Sequence, residues 1–196
     1  MNTEPDYDRL YETAENQAGY FTASQARDHG FSWERLSENV KRGRFLRLFR
    51  GVYRLAHFPS SAYEDLFVAW LRTGPNSVIS HESALTLYNL SDVLPGEIHV
   101  IISRTASRRR SGLRLHTNQL KPEEITTREG LPVTTAARTI ADVAIGGLAR
   151  ELVVQSIREA VDRGLTSREK LLAQADYQSG RAKRIIYETL TGSDLP

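Results

Sequence analysis

The 196-residue sequence contains no cysteine. That absence excludes a disulfide framework, a thiol nucleophile, a thiolate zinc site and an iron–sulfur cluster. No apolar run is long enough to span a bilayer. The opening stretch MNTEPDYDRLYETAENQ lacks the apolar centre of a signal peptide, so a soluble, cytoplasmic protein with no membrane partner is expected. A phosphate-cradling Gly-rich loop, a nucleophile elbow and a carboxylate cluster are also missing. No catalytic residue, cofactor or enzymatic activity is therefore expected.

What remains is an ordinary globular composition, 40% hydrophobic, enough for one or two compact cores. The formal net charge is only +2 and the pI about 9.0. Attraction to a polyanion would have to come from where the charges sit. They are unevenly placed: residues 1–40 carry three Lys or Arg against eight acids, whereas KRGRFLRLFRGVYRLAHF, residues 41–58, carries six Lys or Arg and no acid.

The order of patterns along residues 1–58 is helix, helix, helix, hairpin. DYDRLYETAENQAGYF places Leu10, Ala14 and Ala18 on one face. In TASQARDHG, Thr22 and Gln25 have the spacing of a capping box, and Gly30 stops the helix. SWERLSENVKRG can be capped by Ser32, aligns Trp33, Leu36 and Val40 as a buried face and ends at Gly43. Residues 44–55 read as two strands joined by a tight turn at Arg50-Gly51. This is the order of a winged helix-turn-helix, and the Pro59 region, HFPSS, marks a boundary that gives a first domain over 1–58.

Residues 59–196 read as a mixed α+β domain with a small sheet and several helices. AYEDLFVAWLRTG, SHESALTLYNL, TTAARTIADVAI, LARELVVQSIREAVDRG, SREKLLAQADYQSG and RAKRIIYETL are helical by period, and EIHVIIS and LRLHT are strand-like. The fold class is thus α+β.

If SWERLSENVKR is a recognition helix, the face opposite Trp33, Leu36 and Val40 presents Arg35, Asn39 and Arg42, with Ser32 spent on the cap. Arg can fork onto guanine O6 and N7, and Asn can pair with adenine N6 and N7. Lys41, Arg42, Arg44, Arg47, Arg50 and Arg54 would line the helix end and the wing, where they could grip phosphates or an adjacent minor groove. The alternative is a solvated hairpin whose arginines keep an edge strand soluble.

Residues 98–121 hold six more bases and no acid; Arg108, Arg109 and Arg110 could make a secondary contact to nucleic acid or a partner, or lie in a solvated loop. His99 and His116 could meet across paired strands as a surface pair, and no set of ligands with metal-binding spacing is apparent, so no metal is expected. Arg138 and Asp142, at i and i+4, read as a surface ion pair.

GYFTASQARDHGFSWERLSENVKRGRFLRLFRGVYRL resembles the N-terminal winged helix of AbiEi-type antitoxins of type IV toxin–antitoxin systems. Arg47, Arg50, Gly51 and Tyr53 match the wing pattern, and Gly30 and Gly43 the helix ends. SHESALTLYNL, EIHVIIS and GLPVTTAARTIADVA are similar to blocks of the region that accompanies it. The resemblance spans roughly residues 15–165. It implies a bacterial repressor that binds double-stranded DNA at its own promoter, with a second domain that neutralises a cognate nucleotidyltransferase toxin. Some proteins with similar blocks continue into a Vsr-like endonuclease domain; the sequence stops about where that would begin, so no nuclease is expected. The readings left beside this one are a protein-docking module without specific DNA binding, and an enzyme remnant.

Overall fold

A computed structural model describes residues 4–90, 95–104, 110–178 and 180–192. They fall into two compact units, Met1–Asn76 and Ser77–Pro196.

In the first unit, helix α1 (Tyr7–Glu15) is followed by strand β1 (Tyr20–Thr22), helices α2 (Ala23–Asp28) and α3 (Trp33–Lys41), and the hairpin β2 (Phe45–Phe49) and β3 (Val52–Leu55). The three strands form an antiparallel sheet in the order β1-β3-β2. This is the winged helix-turn-helix that the sequence predicts, with β1 added. The expected capping box is present: Gln25 N–H donates to Thr22 Oγ1 at 3.1 Å, and Thr22 N–H to Gln25 Oε1 at 2.8 Å. The wing turns at Arg50-Gly51, where Gly51 takes a φ of +79° that a side chain would strain.

The sheet has two occupied faces. Phe21 and Tyr53 pair across β1 and β3 and join Leu10, Phe31, Leu36 and Phe45 in the core beneath the helices. Each such large side chain contributes about 1.5–3 kcal/mol on burial. The other face carries Tyr20, Arg54 and Leu46, which are opposite one another in register. Helix α4 (Glu64–Thr73) covers it: Tyr20 stacks on Phe67 with centroids 4.9 Å apart, and its hydroxyl donates to Glu64 Oε2 at 3.0 Å. The first unit therefore runs past the boundary expected at residue 58, because α4 packs on its sheet. Gly19 shows how closely the chain returns; a Cβ there would lie 2.4 Å from the ring of Phe58.

The second unit is α+β, with a mixed five-stranded sheet in the order β6-β5-β4-β8-β7. Its strands are β4 (Val78–Ile79), β5 (Ile98–Ile101), β6 (Leu113–His116), β7 (Ile125–Arg128) and β8 (Leu131–Thr134), and helix α5 (His81–Tyr88) follows β4 directly. Strand β5 runs parallel to β6 and antiparallel to β4. Helix α6 (Ala136–Gly146) is buried at every position from Ala136 to Ala144. Its many small residues let α5, α7 (Arg150–Asp162), α8 (Arg168–Asp176) and α9 (Arg181–Thr191) pack around it. The two guanidinium nitrogens of Arg181 donate to Ala144 O and Leu148 O at the end of α6, so carbonyls without a helical partner are satisfied.

Candidate nucleic-acid interface

Helix α3 is oriented by a hydrophobic staple. Ser32 caps it, accepting from Arg35 N–H at 3.3 Å, and Phe31 before the cap and Leu36 at the fourth helical position are both buried. Tyr7 meets Phe31 edge-on with centroids 4.9 Å apart. This arrangement turns α3 from the expected orientation. Trp33, expected in the core, is 54% exposed, because Phe31 fills the place beneath the first turn. The guanidinium of Arg27 lies 5.2 Å from the centre of the Trp33 ring.

Asn39 is likewise corrected. Expected to read bases, it is 2% exposed; its amide donates to Arg35 O at 2.8 Å and its oxygen accepts from Tyr7 OH at 3.2 Å. It ties α3 to α1 and has no edge to offer a groove. The outward face of α3 consists of Glu34, Ser37 and Lys41, with Arg35 exposed on one flank. Hydrogen bonds from Ser32 and from its own N–H hold the Glu34 carboxyl below the usual range, so this face carries fixed negative charge among its cations. Arg42 is exposed at the end of the helix and pairs with Glu38 at 2.6 Å.

The wing retains most of its expected cations at the surface. Arg44, Arg47 and Arg50 are exposed. Arg44 lies 5.9 Å from the centre of the Tyr7 ring. Arg47 is opposite Tyr53 in the ladder, on the face that packs against the helices. Arg54 does not belong with them. Opposite Tyr20 and Leu46, it faces α4; its side chain is 12% exposed, with Nη1 3.8 Å from Glu64 Oε2. Period-two alternation decides this: Arg54 is one residue beyond Tyr53, so it points to the opposite face. The exposed set is therefore Arg35, Lys41, Arg42, Arg44, Arg47 and Arg50, joined by Trp33 and Arg27.

Of the second basic stretch, Arg108 and Arg109 lie outside the described residues, and Arg110 bridges to Leu113 ahead of β6. Two other groupings in the second unit differ from expectation. Arg138 and Asp142 are buried; Arg138 Nε donates to both Asp142 oxygens at 2.9 and 3.0 Å, and its Nη1 donates to Glu124 Oε1 at 2.9 Å. Gln174 and the backbone N–H of Lys121 also donate to Glu124. Burial alone would raise the Glu124 pKa, but the Lys121 N–H and Arg138 outweigh it and hold the carboxyl below its usual range.

His99 and His116 meet as expected, but not as a surface pair. His99 is buried, and His81 completes a three-ring cluster with them. Burial, reinforced by the neighbouring rings, lowers His81 to about 3 and His116 to about 4. His81, with a φ of +51°, sits in the left-handed region, which costs a non-glycine residue roughly 1–2 kcal/mol. The spacing 81, 99, 116 gives no sequence signal, since three separate elements bring the rings together.

Residues 8–56 match the family model described as transcriptional regulator, AbiEi antitoxin. The match covers the helices and wing just described. Among solved structures, the chain is similar to the crystal structure of the RV2827C protein from Mycobacterium tuberculosis, with 14% identity and a TM-score of 0.55 over 93% of this chain and 75% of that one. At that identity the likeness is one of fold. No curated protein sequence matches the chain. No helix among the described residues is long and apolar enough to cross a membrane.

Proposed function

We propose that the chain is an antitoxin of a type IV toxin–antitoxin system that binds double-stranded DNA at its own promoter and represses its own transcription. In this reading the second unit is needed to neutralise a nucleotidyltransferase toxin, and the chain acts by binding without catalysis. The observation that carries the DNA-binding part is the exposure of Lys41, Arg42, Arg44, Arg47 and Arg50 on a winged-helix unit whose helices otherwise carry mostly acids. The family match over 8–56 supports the regulatory role.

Arg35 and Lys41 reach toward the major groove, and Arg44, Arg47 and Arg50 hold phosphates or the neighbouring minor groove. Glu34 and Glu38 add selectivity, since a carboxylate is repelled by phosphate yet accepts from cytosine N4. The test is fluorescence anisotropy on the DNA upstream of the gene and on a scrambled duplex of equal length, across a salt series. Tighter binding to the native fragment at physiological salt is expected. Equal, steeply salt-dependent binding to both would reduce the interaction to charge attraction.

A second reading, in which the winged helix docks on a protein, is favoured by one observation: Trp33 stands 54% exposed at the start of α3, and exposed Trp is enriched at protein interfaces. Binding of neither duplex, together with a stable complex with a neighbouring nucleotidyltransferase, would select it.

A further inference from the structure

Three of the chain's five histidines converge in the second unit, each from a different element. His81 opens α5, His99 lies in β5 and His116 ends β6. In the parallel β5–β6 ladder, His116 is opposite Ile101, which shares a face with His99 by alternation. One ring nitrogen from each histidine lies within 4.8 Å of the other two. His99 Nδ1 and His116 Nε2 are already 3.4 Å apart. A tetrahedral ion with metal–nitrogen bonds of about 2.0–2.1 Å needs its ligand atoms about 3.3 Å apart, so this pair needs no further approach.

A carboxylate completes the group. Glu82 Oε2 lies 2.7 Å from His99 Nδ1, yet it is buried and receives no aligned hydrogen bond among the described residues. Its neighbour there is an imidazole that carries positive charge only when protonated, so a divalent cation would be the stronger partner for a buried carboxylate oxygen. His81 has Nδ1 3.0 Å from Ser80 Oγ, a contact that fixes the ring and leaves Nε2 as its free donor. The backbone N–H of His99 donates to Ser83 Oγ at 2.9 Å, which ties β5 to α5 beside the cluster.

We propose that His81, His99 and His116, with the carboxylate of Glu82, bind one divalent transition ion of the zinc type. Three imidazoles and a carboxylate suit zinc and its borderline neighbours better than the oxygen-seeking magnesium or calcium. Four protein donors close the coordination shell, so the ion is structural and leaves no open position for a catalytic water. The rings of His81 and His116 stack with centroids 3.7 Å apart and planes 11° apart. Parallel rings cannot both point at one ion in their own planes. Binding therefore turns His116, the half-exposed member at the end of its strand, out of the stack. The ion then pins the start of α5 to the β5–β6 edge.

The test uses the tag-free full chain, stripped with chelator and titrated with zinc chloride, followed by calorimetry and by the ring resonances of the five histidines. One equivalent per chain is expected, with a rise in melting temperature. The rings of His81, His99 and His116 shift on binding, while His29 and His57, in the first unit, serve as internal controls and stay in place. His116→Asn lowers the affinity at least tenfold, and Glu82→Gln weakens binding at unchanged stoichiometry. If His116→Asn fails to fold, the wild-type ring shifts decide the matter alone. Rings of the three that do not move, five that move alike, or an isotherm that His116→Asn leaves unchanged would each overturn the site.

Discussion

The phenol of Tyr7 donates to the side-chain oxygen of Asn39 at 3.2 Å, joining the first helix to the third through an amide that is itself buried. A buried amide with both ends satisfied fixes orientation, and leaving one end unmatched costs about 1–3 kcal/mol. Asn39→Ala is expected to lower the unfolding free energy by about 1–2 kcal/mol in urea, with Tyr7→Phe costing less. The folded fraction of Asn39→Ala should retain the DNA preference of the wild type. A lost preference at one base position, with stability intact, would return Asn39 to the groove.

The wing arginines separate into two classes. Each phosphate contact contributes about 0.9 to the slope of log affinity against log salt, so Arg47→Ala and Arg50→Ala should each flatten that slope by about one. Arg54→Ala should leave the slope unchanged and cost about 1–2 kcal/mol of stability, since its side chain faces Glu64 and Tyr20. Anisotropy across a salt series and urea unfolding of the same variants check both halves.

Glu38 holds Arg42 at 2.6 Å and presents a negative charge on α3. Glu38→Gln frees that guanidinium and removes the repulsion. Binding to native and scrambled duplexes should tighten alike, by about twofold to fivefold, the scale of an exposed ion pair worth about 0.5–1 kcal/mol. If native binding alone weakens, Glu38 is reading a base.

In the second unit, Glu124 is held below its usual carboxylate range by the Lys121 N–H and Arg138, against the effect of burial. An acid whose folded pKa is depressed stabilises the fold above its unfolded pKa and loses that contribution as pH falls through the folded value. Glu124→Gln should therefore be less stable than wild type by about 1–2 kcal/mol at neutral pH, and the gap should close as pH falls below the ordinary glutamate value of about 4.3. Arg138→Met strands Asp142 and Glu124 and should cost about 3–5 kcal/mol. Thermal melts across the pH range check both.

Local chemistry was legible in the sequence wherever a few adjacent residues decide it. The Thr22–Gln25 box, the Ser32 cap and the Arg50-Gly51 turn each lie within a single turn of chain. Helical period alone misplaces Trp33 and Asn39, because it does not say which way a helix rolls; the Phe31–Leu36 staple does. Charge alone groups Arg54 with the wing, although alternation from the buried Tyr53 separates it. Strand β1 is too short to show a pattern. The edge strand β7 has no apolar alternation to betray it, since Ile125, Thr126 and Thr127 are all exposed. Burial of Arg138 and convergence of His81 with His99 and His116 depend on tertiary packing, for which spacing along the chain gives no sign.

Helix α4 sets the smallest piece of this protein that could be moved elsewhere. A fragment cut after Phe58 would keep every exposed wing arginine but strip the cover from Tyr20, which is wholly buried, and release Arg54 from Glu64 to add a stray cation beside the wing. Such a fragment would cling to itself through the bared sheet. Recombination that exchanges this module would have to break the chain near residue 76, so the unit of inheritance is longer than the stretch that carries the exposed wing arginines.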